Sequence, residues 1–320
     1  MSELLYMQDF NIEECEAGII SISATEDGRT DIVLDQTCFY ARGGGQDWDM
    51  GTITDGSTTF EVEEVRLDEH GDVRHIGNYQ AGSFAVEAAQ VACKVNHERH
   101  MINTRLHSAG HVIDMAVDKL GLDWVGTKGQ HYPHLSAVEY SGTWEPERAE
   151  ELRVAIEKQA NDFIQQGIGN SLAFMPVEEM HRVVRHVPEN IPKNKPGRVV
   201  MYGENFGIPC GGTHVKNLRE VGAITIPKVK EKKGVIRVSY TVEGINQKQG
   251  KPLDTIMNTA DSYIQKVKGK VVTFTHLGAK TVPFEQVTSV AVVPFTASGE
   301  LVVVNLRHRG LITDRTDKER

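Results

Sequence analysis

Four cysteines in 320 residues, Cys15, Cys38, Cys93 and Cys210, are too few and too scattered to form a disulfide scaffold. No stretch approaches the roughly eighteen consecutive apolar residues that a membrane span needs, and Met1-Ser2-Glu3-Leu4-Leu5 has no basic region leading into an apolar one. These absences predict a cytoplasmic protein in a reducing compartment, where Cys210 is free to act as a thiolate. Positive charge is also scarce: 35 Lys and Arg stand against 44 Asp and Glu, for a net charge of −9. That excludes a protein coating nucleic acid through bulk charge. A local basic strip, Lys228-Val229-Lys230-Glu231-Lys232-Lys233, reads equally as a solvated hairpin tip. Internal repeats and long low-complexity tracts are missing too, and 39% hydrophobic with 25% charged residues is the balance of a folded chain long enough for two or three domains.

What is present is organised around Arg105-Leu106-His107-Ser108-Ala109-Gly110-His111 and the distant Cys210-Gly211-Gly212-Thr213-His214. Histidines four apart on a helix sit one turn above each other, so both imidazoles can reach one ion. Gly211 and Gly212 permit a tight turn that brings Cys210 and His214 to the same point. Three imidazoles and a thiolate suit zinc, whose borderline softness favours nitrogen and sulfur in a tetrahedron. His107, His111, Cys210 and His214 are therefore the candidate metal ligands. Four protein ligands also describe a closed, purely structural site.

The periodicities divide the chain in three. Residues 1–92 hold short apolar stretches at 18–22, 30–34, 58–62 and 84–86, separated by turn residues such as Asp27-Gly28 and Asp55-Gly56, and predict a small antiparallel β-barrel or sandwich. Within it, Gly43-Gly44-Gly45-Gln46 lets backbone approach a ligand or another segment closely, although such a run is also an ordinary loop. Residues 93–245 predict an α+β domain. Asn96 caps a helix whose core stripe is Ile102, Leu106, Ala109, Ile113, Ala116 and Leu120, with His107, His111, Asp114 and Asp118 on another stripe, ending at Gly121. A strand near 135–140 follows. A second helix opens at Thr143-Trp144-Glu145-Pro146, packs Leu152, Ile156, Ala160 and Phe163, and ends near Gly167. Stretches 223–226 and 235–240 read as a closing hairpin. Residues 246–320 predict a polar linker, a helix over 253–267, and strands at 270–275, 289–295 and 301–307.

His-Ser-Ala-x-His, Cys-Gly-Gly-Thr-His-Val and the earlier Phe39-Tyr40 with Gly43-Gly44-Gly45-Gln46 resemble, in type, order and approximate spacing, the editing region of alanyl-tRNA synthetases and their free-standing relatives, the alanyl-tRNA editing proteins. The resemblance covers roughly residues 5–243, and Val221-Gly222-Ala223-Ile224 is similar too. It implies an N-terminal β-barrel packed on an α+β, zinc-containing editing domain of the threonyl/alanyl-tRNA synthetase type. The implied activity is hydrolysis, in trans, of a serine or glycine ester on mischarged alanine tRNA; the implied cofactor is Zn2+ and the partner tRNA. A synthetic pocket for alanine rejects glycine, or a small added hydroxyl, only weakly, so a second hydrolytic site is the physical remedy. By position in the motif, Gln46 resembles a pocket residue that the barrel lends to the editing site. Gly44, Gly45 and Gln130 are substrate-pocket candidates, with Thr127 and His131 beside them. Residues 289–310 resemble the first hairpin of a Nudix hydrolase, but the glycine-led loop and paired glutamates of that family do not follow, so no second activity is implied. The competing reading is a non-catalytic zinc-containing module that binds tRNA or a partner.

Overall fold

The computed structural model describes residues 2–85, 90–188, 191, 196–204, 206–245, 262–267 and 270–275. Contacts divide the chain into two units, Met1–Lys251 and Pro252–Arg320. Among the described residues, no helix is long and apolar enough to cross a membrane.

The first unit begins with β1 (Glu3–Leu4), which pairs in parallel with β4 (Gln36–Thr37). Six further strands, β2 (Glu14–Ala24), β3 (Thr30–Leu34), β5 (Gly51–Thr54), β6 (Thr59–Leu67), β7 (Val73–Ala81) and β8 (Gln90–Val95), close a barrel in the order β2-β3-β7-β6-β5-β8. Closure leaves no strand edge exposed. Alternation puts Ile32, Leu34, Ile53, Phe60, Val62 and Val73 inside. On β6 the inward face changes from Phe60 and Val62 to Val65, and a register shift between Val62 and Glu64 accounts for the change of parity.

Three of the four expected N-terminal strands fall within β2, β3 and β6. The fourth does not: Phe84 and Ala85 lie outside any strand, and the barrel closes through Gln90–Val95. The polar sequence of β7, with Arg74, His75 and Asn78, hid a strand whose His75 is enclosed. One ring nitrogen of His75 bonds Thr37 Oγ1 at 2.8 Å and the other Ile32 O at 3.0 Å.

Beyond the barrel, α1 (His97–Lys119) starts where Asn96 Oδ1 accepts from the Arg99 N–H at 3.0 Å, a cap worth about 1 kcal/mol. The helix gives way to Gly121 in the left-handed region, φ +68°. It lies with α2 (Ala149–Gln166) against an antiparallel sheet ordered β14-β15-β10-β9, built from β9 (Val125–Tyr132), β10 (Leu135–Ser141), β14 (Ile224–Lys232) and β15 (Val235–Val242). A three-stranded sheet, β11 (Asn170–Met175), β12 (Gly197–Tyr202) and β13 (Phe206–Pro209), completes the unit. The core takes Leu106, Ala109, Ile113 and Ala116 from α1 and Leu152, Ile156, Ala160 and Ile164 from α2. Phe163 is only partly buried, and Leu120 is exposed. The architecture is therefore mixed, a six-stranded barrel followed by two helices and two sheets.

In the second unit, β16 (Ser262–Val267) pairs antiparallel with β17 (Lys270–Thr275). This corrects the expectation of helix through residue 267. Tyr263, Ile264 and Val267 fit a helical step as well as a strand, and two residues ending in Gly269 before another β-branched run were the hairpin signal to heed. Residues 253–261, the expected strands at 289–295 and 301–307, and the Nudix-like stretch lie outside the described residues.

Candidate metal centre

Helix α1 brings His107 and His111 together on one face. Beneath them, β13 leads into a short loop carrying Cys210 and His214. The potential ligand atoms of these four residues all lie within 4.8 Å of one another. Cys210 Sγ is 3.4 Å from His107 Nε2 and 3.4 Å from His214 Nε2. In a zinc tetrahedron with metal–nitrogen and metal–sulfur bonds of about 2.0 and 2.3 Å, a nitrogen–sulfur edge is about 3.5 Å. The donor set and spacing fit a metal ion of that size.

Each imidazole is oriented by a bond at its other nitrogen. Gln46 Oε1 accepts from His107 Nδ1 at 2.7 Å, Tyr202 Oη pairs with His111 Nδ1 at 3.0 Å, and Ser108 Oγ lies 3.3 Å from His214 Nδ1. Ser108 spends its own proton on Thr104 O at 2.8 Å, so its oxygen is left to accept from His214. In His107 and His214 the proton is thus held at Nδ1, which leaves the Nε2 lone pair facing Cys210 Sγ, the arrangement a metal-binding histidine requires. Gln46 is fixed in turn: Oε1 also accepts the Thr213 N–H at 3.2 Å, while Nε2 donates to Thr213 Oγ1 at 2.8 Å.

Burial, reinforced by the neighbouring imidazoles and Arg198, holds His107 and His214 well below the ordinary histidine pKa. His111 is depressed in the same way, by burial and then by His131 and Arg198. All three are thus in the neutral form that ligates. Burial pushes the Cys210 thiol up, against the pull of the Gly212 N–H and the Arg198 charge. A cation at the cluster would reverse that balance and favour the thiolate.

Two close approaches explain the glycines. Gly44 and Gly45 occupy the centre of a tight turn at φ +52° and +78°, closed by Gln46 N–H to Gly43 O at 2.8 Å. A Cβ on Gly45 would stand 2.2 Å from Gly129 O, and Gly45 O accepts the His131 N–H at 2.8 Å, so the barrel turn is pressed against β9. At Gly212 a Cβ would meet His107 Cε1 at 2.2 Å. The barrel is further tied to α1 by Asp49, whose Oδ2 accepts from His100 Nδ1 at 3.0 Å and from the Tyr40 N–H at 2.9 Å.

A cavity of about 370 Å³ opens beside the cluster, and His107, His111 and Cys210 form part of its wall. Gly44, Thr127 and His131 line it as well. His131 stacks on His107 with centroids 4.3 Å apart and points Nδ1 at Tyr240 Oη, 2.7 Å away; burial lowers its pKa to about 3. Gln46 is fully buried behind His107 and is not on the cavity wall. Gln130 is not on the cavity wall, and its Oε1 accepts from Arg237 Nη1 at 2.7 Å.

Sequence reasoning passed over Ser108 and Thr213, which sit inside the two motifs, and Tyr202 and Arg198 on β12. The signal for the last two was a polar residue at each end of Arg198-Val199-Val200-Met201-Tyr202, a buried strand. Arg198 binds Cys210 O at 2.6 Å and Gly212 O at 2.9 Å and so braces the cysteine loop.

Two family models match the chain: tRNA synthetases class II (A) over residues 10–99, and the threonyl and alanyl tRNA synthetase second additional domain over residues 198–239. Alanyl-tRNA editing protein AlaX-M of Saccharolobus solfataricus is 32% identical over 252 residues, covering 76% of this chain and 100% of that protein. AlaX-L of Pyrococcus horikoshii is 29% identical over 248 residues, covering 75% of this chain and 58% of that relative's length. The alanine–tRNA ligase of Nitrosopumilus maritimus is 30% identical over 222 residues, 67% of this chain and 23% of the ligase.

Proposed function

The chain belongs to the alanyl-tRNA editing protein family, and from that membership and the geometry of the cluster we propose that it is a zinc-dependent deacylase acting in trans on mischarged alanine tRNA. The observation that carries this reading is the convergence of three oriented imidazoles and one thiol on a single point in the wall of a cavity. His107, His111, Cys210 and His214 hold Zn2+ in this reading, and the bound ion supplies Lewis acidity beside the ester carbonyl. Gln46 and Ser108 keep the protons of His107 and His214 at Nδ1, and Tyr202 orients the His111 ring. The cavity size suits the aminoacyl end of the substrate, serine or glycine, rather than a larger portion of tRNA. Lys128 on the same wall supplies local positive charge for the phosphate that joins the last two nucleotides of the tRNA, so an acidic chain need not repel its substrate. In this reading residues 1–92, 93–245 and 246–320 are the functional division, with the first two sharing the site.

A second reading is favoured by one observation: four protein ligands fill a tetrahedron, as in structural zinc sites. Hydrolysis measured on serine, glycine and alanine esters of alanine tRNA separates the two. The deacylase reading expects cleavage of the serine or glycine ester with the alanine ester spared. No cleavage of any of the three by zinc-loaded protein would leave the structural reading standing.

A further inference from the structure

Asp114 lies one helical turn beyond His111 on α1 and contributes to the wall of the same cavity. Its Oδ1 accepts from Tyr140 Oη at 2.6 Å, and Tyr140 is fixed in the core. Among the described residues no cation pairs with it. The other carboxylate on that wall, Asp118, is matched by Arg185 at 3.0 Å. Burial raises the Asp114 carboxyl to about 7, although the Tyr140 hydrogen bond pulls the other way. A partly buried carboxylate on a cavity wall without a countercharge is stabilised by a cationic ligand that enters the cavity. Zinc in the cluster would also favour the ionised form.

We propose that Asp114 binds the α-ammonium group of the aminoacyl ester and thereby restricts the cavity to esters of α-amino acids. The inference rests on the deacylase reading of the site. In such a substrate the ammonium and the ester carbonyl are attached to one carbon, so the ammonium subsite must border the place where the ester is cleaved. Asp114 meets that condition through its position next to His111, and Trp124 and Val138 give it apolar surroundings in which a charge pair is strengthened. The ammonium is common to serine, glycine and alanine, so Asp114 fixes the class of acyl group and leaves the choice among side chains to other contacts.

The test uses the zinc-loaded full chain and two substrates that differ in one group: the serine ester of alanine tRNA, and the α-hydroxy ester obtained from it by deamination. Wild-type protein is expected to cleave the serine ester at least about 30-fold faster in kcat/KM, the loss expected for one charge-assisted contact. Asp114→Asn, which keeps an oxygen for Tyr140, is expected to lose that preference by slowing the serine ester alone, with zinc content unchanged. Tyr140→Phe keeps the carboxylate and should retain the preference. Equal cleavage of the two esters by wild type, or an equal loss on both in Asp114→Asn, overturns the proposal. Failure of wild type to cleave either ester overturns the deacylase reading instead.

Discussion

Replacing Gln46 with leucine removes, at nearly constant volume, the only barrel side chain hydrogen-bonded to a member of the cluster among the described residues. Three bonds go: His107 Nδ1 to Oε1 at 2.7 Å, Thr213 N–H to Oε1 at 3.2 Å, and Nε2 to Thr213 Oγ1 at 2.8 Å. The site is fully buried, so water does not replace them. A lost orienting partner behind a metal-binding histidine lowers metal affinity by roughly 10–100-fold, about 1.4–2.8 kcal/mol. The stranded Thr213 N–H and His107 Nδ1–H cost the metal-free protein about 1–3 kcal/mol of stability. Gln46→Glu keeps the acceptor and loses only the donor to Thr213, so its zinc affinity should remain within a few-fold of wild type. Competition against a chromophoric chelator measures the affinities, and urea denaturation of metal-free protein measures stability. Wild-type zinc affinity in Gln46→Leu, or equal weakening in both variants, would refute the argument that Gln46 acts by holding the His107 proton.

Gly212→Ala is expected to weaken zinc binding at least 10-fold, because its Cβ would stand 2.2 Å from His107 Cε1 and 2.3 Å from Nδ1; overpacking of this kind costs about 1–3 kcal/mol, read from the denaturation midpoint. Burial opposes a charge on His100, yet the hydrogen-bonded Asp49 carboxylate raises its pKa above the ordinary value. Its contribution is therefore complete below about pH 6.5 and is lost as pH rises through the raised value. The stability difference between zinc-loaded wild type and His100→Asn should shrink over that rise, and a difference independent of pH would contradict it. Ending the chain after Lys251 should leave hydrolysis of mischarged alanine tRNA largely intact, since the cluster and the cavity walls lie before it; the cut must spare Ile245, which packs in the core. A truncated protein that is folded, zinc-loaded and inactive would place part of the site in the tail.

The ligand cluster was legible because histidine spacing on a helix is set by local geometry, and Cys-x-x-x-His with two glycines is equally local. Its orienting partners were not legible in the same way. Gln46 reaches His107 across the junction of barrel and helix, and Tyr202 reaches His111 from another sheet. Such pairings depend on tertiary packing that no window of sequence encodes. Helix α1 was read nearly to both ends and α2 to its C-terminus, since Asn96 and Gly167 mark those ends chemically, whereas α2 begins at Ala149 rather than at Thr143 and the helix expected through residue 267 is a strand. Strands β5 and β7 were missed because a barrel strand can be four residues long, or can bury a histidine where an aliphatic residue is expected. On β9, His131 lines the cavity and Gln130 pairs with Arg237, a distinction set by the neighbours that tertiary packing brings to each.

The most direct test of the central claim is single-turnover hydrolysis of serine-charged alanine tRNA as zinc is titrated into metal-free protein. The rate is expected to rise linearly with occupancy and to saturate at one zinc per chain, with Cys210→Ala and His107→Ala inactive at every concentration. Full activity of folded, metal-free protein, or undiminished hydrolysis by either variant, would contradict the assignment of this cluster as the hydrolytic centre.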